Sequence, residues 1–183
     1  MREVEIKLRV PDLDALEKKL TDAGLTISKE ITQHDVVYSH VDDKRDYLDA
    51  YEGHIAIRIR NEDDVNKLTL KRQRTHELDN DEYETKVEDG EVMHQILLTL
   101  GWKPAVEVKK TRKKGKLGEY EVCLDNVEGL GTFMELEKMT NDANSDAEVI
   151  RKELFEAVKP FGLTETDEEK LGYDTQLFKL KNK

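Results

Sequence analysis

Glu3-Val4-Glu5-Ile6-Lys7-Leu8-Arg9-Val10 alternates strictly between charged and aliphatic residues. A period of two is the period of a strand, so Glu3, Glu5, Lys7 and Arg9 share one face and Val4, Ile6, Leu8 and Val10 the other. A solvated face of an antiparallel sheet would carry the same alternation. The order of the charges is more specific. Same-face neighbours on a strand lie ~7 Å apart. Two carboxylates so placed can share a hard cation through their oxygens. The ammonium next along can then touch an anion that the cation also holds.

Other segments repeat the pattern. Gln33–Tyr38 reads as a second strand, rich in β-branched and aromatic residues. His54–Arg60 alternates with Arg58 and Arg60 on one face, and Lys67–Lys71 puts Lys67, Thr69 and Lys71 together. Glu82–Glu88 gathers Glu82, Glu84, Lys86 and Glu88. Ala105–Lys114 runs into a basic tip, and Glu119–Asp125 and Thr132–Lys138 follow, the latter with Glu135 and Glu137 paired as Glu3 and Glu5 are. Turns are expected over Asp42–Asp46, at Glu52-Gly53, over Asn61–Asn66 and over Gly115–Gly118, with a short strand at Tyr47-Leu48. Four helices lie between or after the strands. One is capped by Asp12 and stopped at Gly24, and one is capped by Asp89 and closed by Gly101 with Val92, Met93, Ile96, Leu97 and Leu100 as its stripe. One opens at Ser145 with Glu148 in capping-box spacing. A last short one begins near Thr166 and carries Leu171, Tyr173, Leu177 and Phe178 as apolar positions. About eight short strands with helices outside them give an α+β fold on an antiparallel sheet or barrel.

Composition sets bounds. The chain has 183 residues, 37% hydrophobic and 39% charged, with net charge −11. That length suits one domain spanning 1–183. An acidic chain is a poor general binder of nucleic acid, although converging bases can still hold an anion locally. Cys123 is the only cysteine, so neither a disulfide framework nor a cysteine zinc site is expected. No long apolar run occurs, so no membrane partner and a cytoplasmic location are expected. His34, His40 and His54 lack metal-ligand spacing.

Six motifs in order resemble the CYTH domain of the triphosphate tunnel metalloenzyme superfamily, and its class IV adenylyl cyclase-like branch in particular. They are Glu3-Val-Glu5-Ile-Lys7, Ile57-Arg58-Ile59-Arg60, Leu68-Thr69-Leu70-Lys71, Glu82-Tyr-Glu84, Lys110-Thr-Arg112, and the segment from Leu124 to Glu137. The resemblance implies a closed eight-stranded antiparallel tunnel with flanking helices. It implies that Lys7, Arg58, Arg60, Lys71, Lys110 and Arg112 grip a triphosphate. Glu3, Glu5, Glu135 and Glu137, with Asp125, would hold Mg²⁺ or Mn²⁺, and Glu82 and Glu84 would hold a second metal or orient water. It implies a reaction on a triphosphate: cyclisation of ATP to cyclic AMP and pyrophosphate, or hydrolysis of thiamine triphosphate, a nucleotide or tripolyphosphate. A tunnel that binds such a ligand without turnover is a third reading. The resemblance also allows a homodimer. Two positions depart from the family pattern. Asn80 stands where an Arg is usual, and Asp35-Val-Val37-Tyr38 replaces Asp-x-Tyr-Phe. Both bear on how the nucleoside would be recognised.

Overall fold

A computed structural model describes residues 2–40, 51–142 and 145–182. The turn expected over Asp42–Asp46 and the strand at Tyr47-Leu48 lie outside the described residues. Eight strands run β1 (Arg2–Arg9), β2 (Ile31–His40), β3 (Ile55–Glu62), β4 (Val65–Gln73), β5 (Asp79–Val87), β6 (Trp102–Leu117), β7 (Tyr120–Val127) and β8 (Gly131–Thr140). Their order around the sheet is β1-β5-β4-β3-β2-β6-β7-β8, and β8 pairs again with β1, so the sheet closes into an antiparallel barrel. Closure removes sheet edges and gives every strand an inner and an outer face.

The faces are inverted relative to a barrel with an oily centre. The aliphatic residues of β1 point outward, and Val4, Ile6 and Leu8 are fully buried beneath two helices. Those helices are α1 (Leu13–Asp22) and α3 (Ala147–Val158), which contribute Leu16, Leu20, Ile150, Leu154, Phe155 and Val158 to the same cluster. Burying each such side chain stabilises the fold by about 1.5–3 kcal/mol. Helix α2 (Gly90–Thr99) covers Ile57 and Ile59 through Leu97 and Met93. A third cluster, Val37, Val106, Val108, Val127 and Phe133, is sealed by Tyr173 and Leu177 of α4 (Tyr173–Lys181).

Local chemistry explains the caps. Asp12 Oδ1 accepts from the Ala15 N–H at 2.9 Å, and Asp89 Oδ1 accepts from Glu91 and Val92 at 2.9 and 3.0 Å. Elsewhere the structure corrects the expectations. The N-cap of α3 is Asp146, whose carboxylate takes the Glu148 N–H, and Ser145 lies one residue before it. Thr164, not Thr166, caps a 3-10 turn over Glu165–Asp167, and α4 starts later, at Tyr173. On α2 only Leu97 is buried, while Val92, Ile96 and Leu100 face outward.

The β3–β4 turn is two residues, Asp63-Asp64, both with positive φ, and so shorter than the expected Asn61–Asn66 loop. β6 runs straight through Gly115, which pairs with Val122, and turns only after Leu117. A side chain at Gly115 would meet Ile27 at 2.7 Å, so that glycine marks a close approach and not a turn.

Candidate functional site

The interior of the barrel is a cavity of about 250 Å³. Alternation brings the charged faces to it. Of the thirteen residues singled out above, Glu3, Glu5, Lys7, Arg58, Arg60, Lys71, Glu82, Glu84, Lys110, Arg112, Glu135 and Glu137 line it, and Asp125 does not. Ten acidic and eight basic side chains face the space. Counted as fully ionised, the lining is balanced to within two charges.

Register sets the acidic group. β1 and β8 pair so that Glu5 lies opposite Glu137 and Lys7 opposite Glu135. One carboxylate oxygen each of Glu5, Glu135 and Glu137 falls within 4.8 Å of the others. Hard oxygen donors at that spacing suit Mg²⁺ or Mn²⁺. Burial pushes the Glu5 carboxyl up to about 7, with Glu135 adding to the rise. Burial and then Glu3 push Glu137 well above the usual carboxylate range. Burial acts on Glu135 in the same direction, but Arg112, Lys110 and Lys7 overcome it and hold that carboxyl well below the range. Two carboxyls that resist ionisation beside one that is ionised form a site short of positive charge.

Glu3 stands apart from this trio. Lys71 Nζ lies 2.6 Å from Glu3 and 2.9 Å from Glu82, bridging β1 and β5. Glu82 is pulled down to about 2: its burial is outweighed by Lys71 and Arg58. Glu84 sits at an exposed mouth, where it accepts from Thr69 at 3.1 Å and lies 3.7 Å from Lys67.

The bases divide by how firmly they are held. Arg60 makes a two-pronged bond to Asp35, both contacts 2.6 Å. Arg112 does the same with Asp125, at 2.7 and 2.6 Å, and also bonds Glu135. Lys110 bonds Asp125 at 2.8 Å. Asp125 is thus fully buried with both oxygens on cations, behind the cavity wall. Arg58 differs. Among the described residues its ion pair is a 3.7 Å approach to Asp35, and its buried Nε has no partner. Lys7 lies 3.4 Å from Glu135 and 3.7 Å from Glu5.

The sequence places Asp35 on a strand, and the structure adds that it anchors Arg60. Gln33, Asp35 and Val37 do alternate, and that signal was available. Tyr173 is an apolar helix position by its spacing, yet it lines the cavity, with Lys7 and Lys110 ammonium groups 4.2 and 4.8 Å from its ring centre. A helical period gives no hint that one residue enters a barrel.

The CYTH domain model matches residues 1–173. The chain belongs to the CYTH family. Among relatives of this CYTH chain, "Putative adenylate cyclase MJ0240" of Methanocaldococcus jannaschii is 34% identical over 166 residues, covering 90% of this chain and 91% of that one. "Adenylate cyclase CyaB" of Aeromonas hydrophila is 27% identical over 140 residues, covering 76% and 70%. The structure of the PH1819 protein from Pyrococcus horikoshii OT3 superposes with a TM-score of 0.79 at 26% identity, covering 99% of both chains. No helix among the described residues of the CYTH chain is long and apolar enough to cross a membrane.

Proposed function

We propose that this CYTH protein is a metal-dependent enzyme acting on a triphosphate held in the barrel, and that its reaction is cyclisation of ATP to cyclic AMP and pyrophosphate. The observation that carries the reading is the meeting of the Glu5–Glu135–Glu137 trio with bases left short of partners, Arg58 above all. The names of the two curated relatives support the cyclase reading over the other triphosphate reactions.

In this reading Glu5, Glu135 and Glu137 hold a divalent cation, which when bound withdraws charge from the phosphoryl group as a Lewis acid. Glu3 reaches that region through Lys71. Arg58 presents its guanidinium fork to phosphate oxygens, while Lys7, Lys71 and Lys110 act as point charges. Arg60 and Arg112 add positive charge but are pre-set by Asp35 and Asp125, so they need no reorganisation when charge develops. Glu82 and Glu84 face the cavity from β5 and orient the attacking hydroxyl. Asp125 serves as a brace for Lys110 and Arg112.

One observation favours a triphosphatase instead. Asn80, where the family's Arg is absent, donates its amide to the Glu77 carbonyl at 2.8 Å and is thereby occupied. A weakly held base matters little if water attacks the terminal phosphorus. Incubation with Mg²⁺ or Mn²⁺ and either ATP or tripolyphosphate, with products resolved by chromatography, tests the assignment. Cyclic AMP with pyrophosphate supports the cyclase. Orthophosphate without a cyclic product moves the assignment to hydrolysis.

A further inference from the structure

We propose that Tyr173, on the last helix, is a substrate-binding residue whose hydroxyl donates a hydrogen bond to a phosphate oxygen of the triphosphate. The proposal rests on the reading that the barrel binds such an anion.

Tyr173 is only 7% exposed, lines the cavity, and its hydroxyl is buried with no hydrogen-bond partner among the described residues. Burying a hydroxyl unsatisfied costs about 1–3 kcal/mol, so such a group calls for a partner that the described residues do not supply. Its surroundings say what that partner is. The ammonium groups of Lys7 and Lys110 lie over the ring, 4.2 and 4.8 Å from its centre. Each ammonium has three donors. Lys110 has one described hydrogen bond, to Asp125, and Lys7 has a 3.3 Å contact to the Leu171 carbonyl. A phenol protonated near neutrality is a donor as well. The two ammonium groups over the ring favour an anionic oxygen as that partner, although Lys7 also lies 3.4 Å from Glu135 and 3.7 Å from Glu5.

The helix is fixed for this task. Glu77, on the β4–β5 connection, accepts from the Gly172 N–H at 2.7 Å and from the Thr175 hydroxyl at 2.6 Å. These bonds pin the first turn of α4 across the barrel. The ring itself packs on Phe133, centre to centre 5.1 Å.

Tyr173→Phe removes only the oxygen and keeps the ring, its packing and both cation contacts. The probe is tripolyphosphate with Mg²⁺, measured by calorimetry on the full chain. The expected result is binding weakened about tenfold, the loss of one hydrogen bond to a charged group. The melting temperature of the ligand-free variant is expected to equal or exceed that of the parent, because a buried unpaired hydroxyl is gone. An unchanged dissociation constant would overturn the proposal and leave the anion-binding reading standing. A lowered melting temperature with unchanged binding would assign the hydroxyl a structural role and overturn it too. If the parent chain fails to bind tripolyphosphate, the reading beneath the proposal falls, and the proposal with it.

Discussion

Arg112 holds Asp125 through two parallel hydrogen bonds, Nε to Oδ1 at 2.7 Å and Nη2 to Oδ2 at 2.6 Å, and Asp125 has no exposed surface. Arg112 and Asp125 face each other across the β6–β7 ladder. Such a pair contributes less to net stability than its contacts suggest, because both charges were taken out of water. Breaking it is another matter.

Asp125→Ala leaves Arg112 and Lys110 buried without this partner. The expected cost is about 3–5 kcal/mol in stability, read from the midpoint of urea unfolding. Affinity for Mn²⁺, titrated in the fraction that stays folded, should change little. A large loss of metal affinity with native stability would instead make Asp125 a ligand.

Arg58 and Arg60 sit two residues apart on β3 and should answer differently to removal. Arg60→Ala strips Asp35 of its two 2.6 Å bonds and should destabilise the fold by about 3–5 kcal/mol. Arg58→Ala leaves that pair intact, so thermal stability should hold while tripolyphosphate binding weakens at least tenfold. Equal stability losses in the two variants would contradict this division of roles.

The Glu5 carboxyl gives a pH signature. Its value is raised to about 7 in the folded chain by burial and Glu135. Between the ordinary glutamate value and 7 the folded state therefore keeps a proton that the unfolded state has lost. Stability is highest below that window and falls as pH rises through it, by about 3 kcal/mol for a shift of this size. In chelator, the parent should lose more stability between pH 5 and pH 7.5 than Glu5→Gln does. Divalent metal displaces the proton, so it should stabilise the parent more at pH 7.5 than at pH 5. Parallel pH profiles for the two proteins would rule out this account of Glu5.

Glu137→Gln keeps the size and hydrogen-bonding capacity of the side chain and removes its charge. Because burial and Glu3 already disfavour that charge in the metal-free state, the variant should be as stable as the parent or more so. Metal-dependent turnover should drop by at least a hundredfold, checked as product formed per enzyme with ATP and with tripolyphosphate. Full activity in Glu137→Gln would remove it from the metal site.

Much of the barrel was legible because its inner face is charged. Alternation in Glu3–Val10 states both which residues turn inward and which pack under α1 and α3, and β3, β4, β5 and β8 repeat the statement. What escaped was set by contacts between distant segments. Gly115 resembles a turn residue, but its reason is the side chain of Ile27. The stripe on α2 is longer than the surface available to it, so Leu97 is buried and Ile96 is not. The basic run at Lys109–Lys114 looks like a single patch, yet strand geometry sends Lys110 and Arg112 inward, while Lys113 pairs with Glu17 of α1 at 2.7 Å. Tyr173 enters the cavity where Glu77 pins its helix through Gly172 and Thr175, bonds of 95 and 98 residues' separation that no local pattern encodes.

On the proposed reading the cavity holds a triphosphate together with a divalent cation. Calorimetric titration of tripolyphosphate into the chain, with Mg²⁺ and then in chelator, tests it most directly. Tight binding with Mg²⁺ that weakens sharply in chelator, and a Glu5→Gln variant that binds weakly in both, is the result this account predicts. Binding that ignores both the metal and Glu5, or no binding at all, would contradict it.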